Sequence, residues 1–452
     1  MLLDLLPFLF AGIAAGVVAG FVPGVGVFVT LSLFYPWLMG YGGYEVFAFY
    51  LALASTTQYI GSITATVFSV PGETSSLPAV REGHALFLQG QGSYAISGAA
   101  IGSFLGSFLV LGITWSLMPY INNILYMYTT EVQALVIVAV LVLIITSAKS
   151  VFIGISMAVF GYLLGLVGCR HMDNFCFATF QDPQLEGGFP LLPVLLAVFV
   201  IPKLLTETQE YDASKLKQGN IQTENFFEHI KYFCKNLPTL FRGSFIGFFA
   251  GFTPGMSTTV SANLAYSAEK NIEKKRGTYK EGNYRSLVAA ETANNAGAFA
   301  CLLPLVIFGV PIIPSEALLF DLAAANGFNF GRDFSLEFFN LLAVLLIIVN
   351  TVALFIAWPF AKYVTYMHKL PARLFSYLII LLLMYILYVT GSNLFQVEFY
   401  FLTFFALLPI GLLLRNYDTL PLVFTFIVQS RIDVIGIRLF DLYGISPWLF
   451  DS

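Results

Sequence analysis

The sequence predicts an all-α polytopic membrane protein of about 12 membrane elements, built as two inverted repeats with paired broken or re-entrant helices. Three observations lead there. Of 452 residues, 58% are hydrophobic and 11% charged, against about 25% charged in a soluble domain. The apolar residues come in long continuous runs, not in the ~10-residue alternating segments of a membrane β-barrel. And the string AGFVPG at 19–24 returns as AGFTPG at 250–255, each time inside a run otherwise apolar enough to cross a bilayer.

The first run, 5–38, is broken at Pro23 and Gly24. The opening MLLDLLPFLFAG has no positively charged start, so it is expected to remain as a membrane helix and not to be cleaved as a signal peptide. Runs at 45–70, 93–118, 132–147, 151–168 and 189–206 follow. A polar stretch, 207–240, carries Lys215, Lys217, Lys231 and Lys235 among acidic residues and reads as a solvated linker. Beyond it lie 241–266, broken at Pro254 and Gly255, then 287–310, 311–326, 338–367, 373–390, 397–414 and 418–430. A span needs ~20 apolar residues, and several runs are too long or too short for one simple helix. The linker thus divides an N-terminal repeat, 1–206, from a C-terminal repeat, 241–452.

Each half holds a second break. FSVPGETSS contains Pro71 and FGVPIIPSE contains Pro311. Charge suggests how the halves are related. No Lys or Arg precedes Arg81, whereas EKNIEKKRGTYKEGNYR carries Lys270, Lys274, Lys275, Arg276, Lys280 and Arg285. Positive loops stay in the cytoplasm, so corresponding loops of the two halves are expected on opposite sides. Equal orientation of the halves is the competing reading.

A helix interrupted at Pro-Gly leaves backbone N–H and C=O groups without helical partners. In hydrocarbon such backbone must be buried in protein or line a wet cavity. Paired discontinuous helices are therefore the best sequence pointer to a transporter's binding site, although two kinked helices without function remain the plain alternative. The candidate substrate site takes Pro23, Gly24 and Gly26 from the first break and Ser62 and Thr64 from the run after it. Pro71, Gly72, Glu73, Thr74 and Ser75 join from the second break. The other half contributes Pro254, Gly255, Ser257 and Thr258, with Asn294, Asn295 and Pro311. The hydroxyls either donate to a ligand or bond back to their own helix. Thr259, Glu291, Asn294 and Asn295 are candidates for the coupled ion. Glu291 is either an intramembrane carboxylate, functional by default, or part of an aqueous loop. Glu316, beside Pro311, faces a cavity or an interface.

Other chemistry is weaker. No Ser-His-Asp set, metal motif or phosphate loop appears, so an enzyme is not expected, nor a metal or cofactor beyond a coupled H⁺ or Na⁺. The net charge of −4 gives no reason to expect nucleic acid as a partner. Cys169, Cys176, Cys234 and Cys301 form no CxxC pair and are expected as unpaired thiols. Gly98, Gly102 and Gly106 predict close helix packing. His84 is expected in a loop.

Several strings, AGFVPGVGVFVTLSLFYP, YIGSITATVFSVPG, GFTPGMSTTVSANLAYSAEK and AAETANNAGAFACLLPLVIFGVP, resemble the large membrane subunit of tripartite tricarboxylate transporters, the TctA family. The resemblance runs in order over nearly the whole chain. It implies a permease of the bacterial inner membrane that imports a small carboxylate such as citrate through the lipid bilayer, driven by an H⁺ or Na⁺ gradient. It further implies two partners, a small four-helix membrane subunit and a periplasmic solute-binding protein. A membrane channel for small anions is the alternative function. The chain departs from the family pattern at PGETSS, where Glu73 stands in place of a neutral residue, and an extra acid there favours a less negatively charged substrate.

Overall fold

In a computed structural model, the described residues are 2–22, 25–69, 74–120, 129–147, 150–169, 176–202, 205, 234, 236–254, 257–330, 335–358, 372–393, 396–415, 417 and 419–443. Most of the expected linker lies outside them. The described chain is almost all helix. Its first half holds α1 (Leu2–Phe21), α2 (Gly26–Leu38), α3 (Gly43–Phe68), α4 (His84–Leu88), α5 (Gly92–Leu117), α6 (Thr130–Ser147) and α7 (Val151–Leu166). A two-stranded hairpin, β1 (Gly168–Cys169) and β2 (Cys176–Phe177), leads to the short α8 (Pro183–Glu186) and α9 (Leu191–Leu195). The second half holds α10 (Leu237–Ala250), α11 (Ser257–Lys275), α12 (Tyr284–Phe308), α13 (Pro314–Ala325), α14 (Leu336–Ala357), α15 (Ala372–Asn393), α16 (Val397–Leu414) and α17 (Leu420–Tyr443). Among the described residues six helices are long and apolar enough to cross a membrane, and shorter apolar helices accompany them. The protein is a multi-pass membrane protein.

Glycine decides how the first helices pack. Gly12, Gly16 and Gly20 recur every fourth residue on α1. A Cβ at Gly12 would stand 2.5 Å from the Phe49 carbonyl, and one at Gly20 would stand 2.5 Å from the Thr57 carbonyl. The backbones of α1 and α3 therefore touch, and they run in the same direction. Two parallel neighbours in sequence require α2 to carry the chain back, so α1 and α2 form a hairpin with its tip at the first break. The Phe8 ring stacks on Trp37 at 5.3 Å, which ties the start of α1 to the end of α2.

The second half packs by the same rule. Gly243, Gly247 and Gly251 set α10 along α12, with Cβ positions 2.8 Å from the Ala289 carbonyl, 2.6 Å from the Ala293 carbonyl and 2.7 Å from the Ala300 Cβ. α11 returns beside them, its Glu269 bonded to Thr239 (2.8 Å) and to Arg242 (2.7 Å) near the start of α10. Gly20 precedes Pro23, and Gly251 precedes Pro254, by three residues each. The long helices also end alike. α3 closes on Ser69 with φ 58° and α12 on Gly309 with φ 63°, each the x of an F-x-V-P string, where a left-handed residue stops a helix.

α5 joins the halves. Gly98 lies against Tyr284, Gly102 against Val288 and Thr292, and Gly106 against the Thr292 carbonyl, so α5 and α12 are parallel, packed as the glycine spacing predicts. α3 runs against both. Ala65 shares a cluster with Tyr284 and Leu287, Ser62 meets Glu291, and Gln58 lies in one cleft with Asn294.

The segment 74–88 locks onto the basic loop. Glu82 is buried and accepts hydrogen bonds from Tyr266 Oη (2.9 Å), Tyr279 Oη (2.8 Å) and the N–H groups of Gly282 (2.9 Å) and Asn283 (2.7 Å). His84 does not sit in a loop. It opens α4, and its Nδ1 lies 3.0 Å from the Thr66 carbonyl.

The cysteine expectation is corrected for one pair. Cys169 and Cys176 face each other across the β1–β2 pair, Cα atoms 4.0 Å apart, and form a disulfide. Their sequence spacing carries no motif, and the strand register is what brings them together. Cys234 is free and exposed, and Cys301 is free and buried.

Candidate functional site

The end of α1, beside the first break, rests against the second half of α3. Gly26 opens α2 with φ +46°, a backbone setting that favours glycine. Thr64 Oγ1 donates to the Gly61 carbonyl (2.8 Å) and reaches the Gly20 carbonyl at 3.3 Å, so it holds the end of α1 in place. Beside this contact is a small cleft lined by Gly20, Thr57, Gln58, Gly61, Ser75, Ser76 and Asn294. It joins the first hairpin tip, the turn Thr74–Ser76 and the middle of α12.

Two polar atoms in this cleft have no hydrogen-bond partner among the described residues, Gln58 Oε1 and Asn294 Oδ1. Both atoms are buried. A buried acceptor left unpaired costs about 1–3 kcal/mol, so the arrangement is expensive unless something fills it.

One turn along α12 from Asn294 is Glu291, 1% exposed. The helix places it within the protein and not in an aqueous loop. Ser62 Oγ donates to its Oε2 at 2.5 Å, and Asn295 Nδ2 donates to its backbone carbonyl at 3.3 Å. Next to Ser62 is a tightly packed pocket lined mainly by Tyr59, Ile63, Ala99, Ala100 and Ser103.

The second hairpin tip has its own polar contacts. Pro254 and Ser257 are buried, and Thr258 and Thr259 are half-buried on the first turn of α11. Ser257 Oγ and Glu316 Oε1 are buried without a hydrogen-bond partner among the described residues, and the Cys301 thiol donates to the Ala298 carbonyl at 3.1 Å. Glu316 is fully buried, and its Oε2 accepts the Ile312 N–H at 2.9 Å. It thus satisfies backbone that the break before α13 would otherwise leave unpaired. Pro311 lines a different, apolar pocket together with Val423, Phe424 and Ile427.

Of the residues expected from sequence, Asn294 and Ser75 line the polar cleft, with Thr64 next to it. Ser62 of α3 meets Glu291, one turn along α12 from Asn294, and Asn295 is buried and bonded to the Glu291 carbonyl. Ser257, Thr258 and Thr259 belong to the other tip, and Pro311 is in neither group. Thr74 opens its turn, but its side chain lies outside the described ones, as do Pro23, Gly24, Pro71, Gly72, Glu73 and Gly255. Sequence reasoning missed Gln58 and Thr57. The usable signal was STTQ, four consecutive polar residues at 55–58 in a run that is otherwise apolar.

Residues 6–424 match the family described as "Tripartite tricarboxylate transporter TctA family". The chain belongs to the TctA family. Its relatives include two proteins of Agrobacterium vitis. The "Uncharacterized 52.8 kDa protein in TAR-I ttuC' 3'region" is 27% identical over 72% of this chain and 64% of its own length. The "Uncharacterized protein in TAR-II ttuC' 3'region" is 33% identical over 15% of this chain and 28% of its own. The chain therefore spans less than two thirds of either relative. No solved structure matches significantly. In this TctA-family chain, the matched region contains both hairpins, the polar cleft and Glu291.

Proposed function

We propose that the chain is the large membrane subunit of a tripartite carrier that imports a small carboxylate such as citrate across the bacterial inner membrane. A periplasmic solute-binding protein delivers the substrate, a small four-helix membrane subunit completes the complex, and an H⁺ or Na⁺ gradient supplies the energy. The observation that carries this reading is the pair of interrupted helices, α1–α2 and α10–α11, in a chain of a tricarboxylate transporter family. Broken helices at mid-membrane are where such carriers bind substrate.

Two inverted repeats, with about 12 membrane elements in all, fit the same reading. Its support is the parallel pairing of α1 with α3 and of α10 with α12, while α3 and α12 oppose each other. In this arrangement the basic loop before α12 faces the cytoplasm. The Cys169–Cys176 hairpin faces outward, where disulfides persist. The substrate enters between the tips, and one unit moves against the other to release it.

The test is uptake of labelled citrate and other small carboxylates by vesicles that hold the whole complex. Uptake driven by an imposed ion gradient and abolished by an ionophore is the expected result. Uptake that persists after every ion gradient has collapsed would overturn coupling.

A further inference from the structure

The cleft at the first hairpin tip presents acceptors. Gln58 and Asn294 aim amide oxygens that have no donor among the described residues, and Asn294 is 2% exposed. Gly20, one residue before the end of α1, adds a carbonyl at the negative end of a helix dipole. Thr57, Ser75 and Ser76 add hydroxyl oxygens. Thr57 spends its proton on the Leu53 carbonyl at 2.7 Å, which leaves lone pairs on its oxygen.

Among the described residues no Lys, Arg, Asp or Glu lines the cleft, and no group of three His, Cys, Asp or Glu suited to a metal occurs. A carboxylate ligand needs donors or cations, and this cleft offers unpaired acceptors. A divalent cation ordinarily needs carboxylates. A proton needs a group that titrates, and amides and hydroxyls do not. An oxygen-rich lining beside a helix C-terminus suits a dehydrated monovalent cation.

We infer that Gly20, Thr57, Gln58, Ser75, Ser76 and Asn294 form a binding site for a sodium ion. The inference rests on the carrier reading above for its role, as the ion whose gradient drives uptake. Gly61 supplies the space. A Cβ there would stand 3.9 Å from Ser76 Oγ and 4.0 Å from the Gly20 carbonyl, which is ordinary contact distance. Alanine at 61 fits without forcing backbone apart, yet it occupies the cleft.

The test is thermal unfolding of the purified chain in detergent without substrate. NaCl is titrated against KCl and choline chloride at constant ionic strength. The midpoint should rise with the logarithm of Na⁺ concentration, as a ligand of the folded state requires, and respond at least tenfold more weakly to K⁺. Gly61→Ala and Asn294→Ala should each weaken the apparent Na⁺ affinity at least tenfold. Asn294→Asp, which keeps the oxygen and adds charge, should tighten it. Should Asn294→Ala fail to fold, Gly61→Ala decides. Equal shifts with Na⁺ and K⁺, or an unchanged Na⁺ response in Gly61→Ala, would overturn the site. If the complex imports carboxylates while its Na⁺ response is absent, the site is wrong and the carrier stands.

Discussion

Ser62 is the donor that Glu291 has among the described residues. Ser62→Ala would leave a carboxyl with 1% exposure without that partner. The expected cost is about 1–3 kcal/mol, read as a lower unfolding midpoint, and Ser62→Thr should restore most of it. A midpoint unchanged in Ser62→Ala would mean that Glu291 finds another donor. The polarity of this site was legible in sequence. Asn294, Asn295 and Glu291 stand out in an alanine-rich apolar run, and so do Ser62 and Thr64. What could not be read was direction. Whether Glu291 was buried depended on where α12 begins, and Asn283, whose side chain caps that helix by accepting from Ser286 N, sits in a loop rich in competing polar residues. Gln58 stands in the polar string STTQ at 55–58, but that string does not say which neighbour its amide faces.

Helix pairing turns on single glycines, and α5 offers an internal comparison. A Cβ at Gly106 would fall 2.2 Å from the Thr292 carbonyl, whereas one at Gly112 meets nothing within 4 Å. Gly106→Ala must push α5 from α12 and should cost about 1–3 kcal/mol or more. Gly112→Ala should be neutral or gain up to ~1 kcal/mol from helix propensity. Equal unfolding midpoints for the two variants would contradict the close packing. The polar end of α11 outside the apolar segment gives a pH prediction. Burial pushes the Glu273 carboxyl up, but hydrogen bonds from Arg285 and Thr278 outweigh it and hold the group below its usual 4.5. A depressed carboxyl stabilises above its unfolded value, and that contribution is lost as pH falls through the folded one. Hydrogen exchange across residues 276–285, corrected for intrinsic rates, should therefore accelerate below about pH 4.5, and Glu273→Gln should remove the pH dependence. The breaks and the Gly98–Gly106 row were visible in sequence. The matching rows at Gly12–Gly20 and Gly243–Gly251 were equally present, but glycine is common in membrane helices, and only contact across α3 and α12 gives them meaning.

At the scale of the whole molecule, the ends of the bundle differ chemically. Phe189, which follows the disulfide hairpin, stacks on Phe399, and the adjoining Tyr400 lies near Asp321, the partner of Tyr35 Oη. This end is opposite the basic loop. Cys234 precedes α10, whose Thr239 bonds Glu269 close to that loop. A membrane-impermeant maleimide should therefore label Cys234 in inside-out vesicles and leave it unlabelled in intact cells. Labelling in intact cells would reverse the topology. Fold class and family were legible because composition and two Pro-Gly strings survive without any three-dimensional information. The disulfide was not, since a strand pair with no sequence motif creates it. The central claim is that the cleft at Asn294 belongs to the transport path. Its most direct test is carboxylate uptake by cells that express the full complex with either the wild-type chain or Asn294→Ala, matched for the amount of protein in the membrane. Uptake should fall at least tenfold in the variant, and equal uptake by the two would put the cleft outside the transport path.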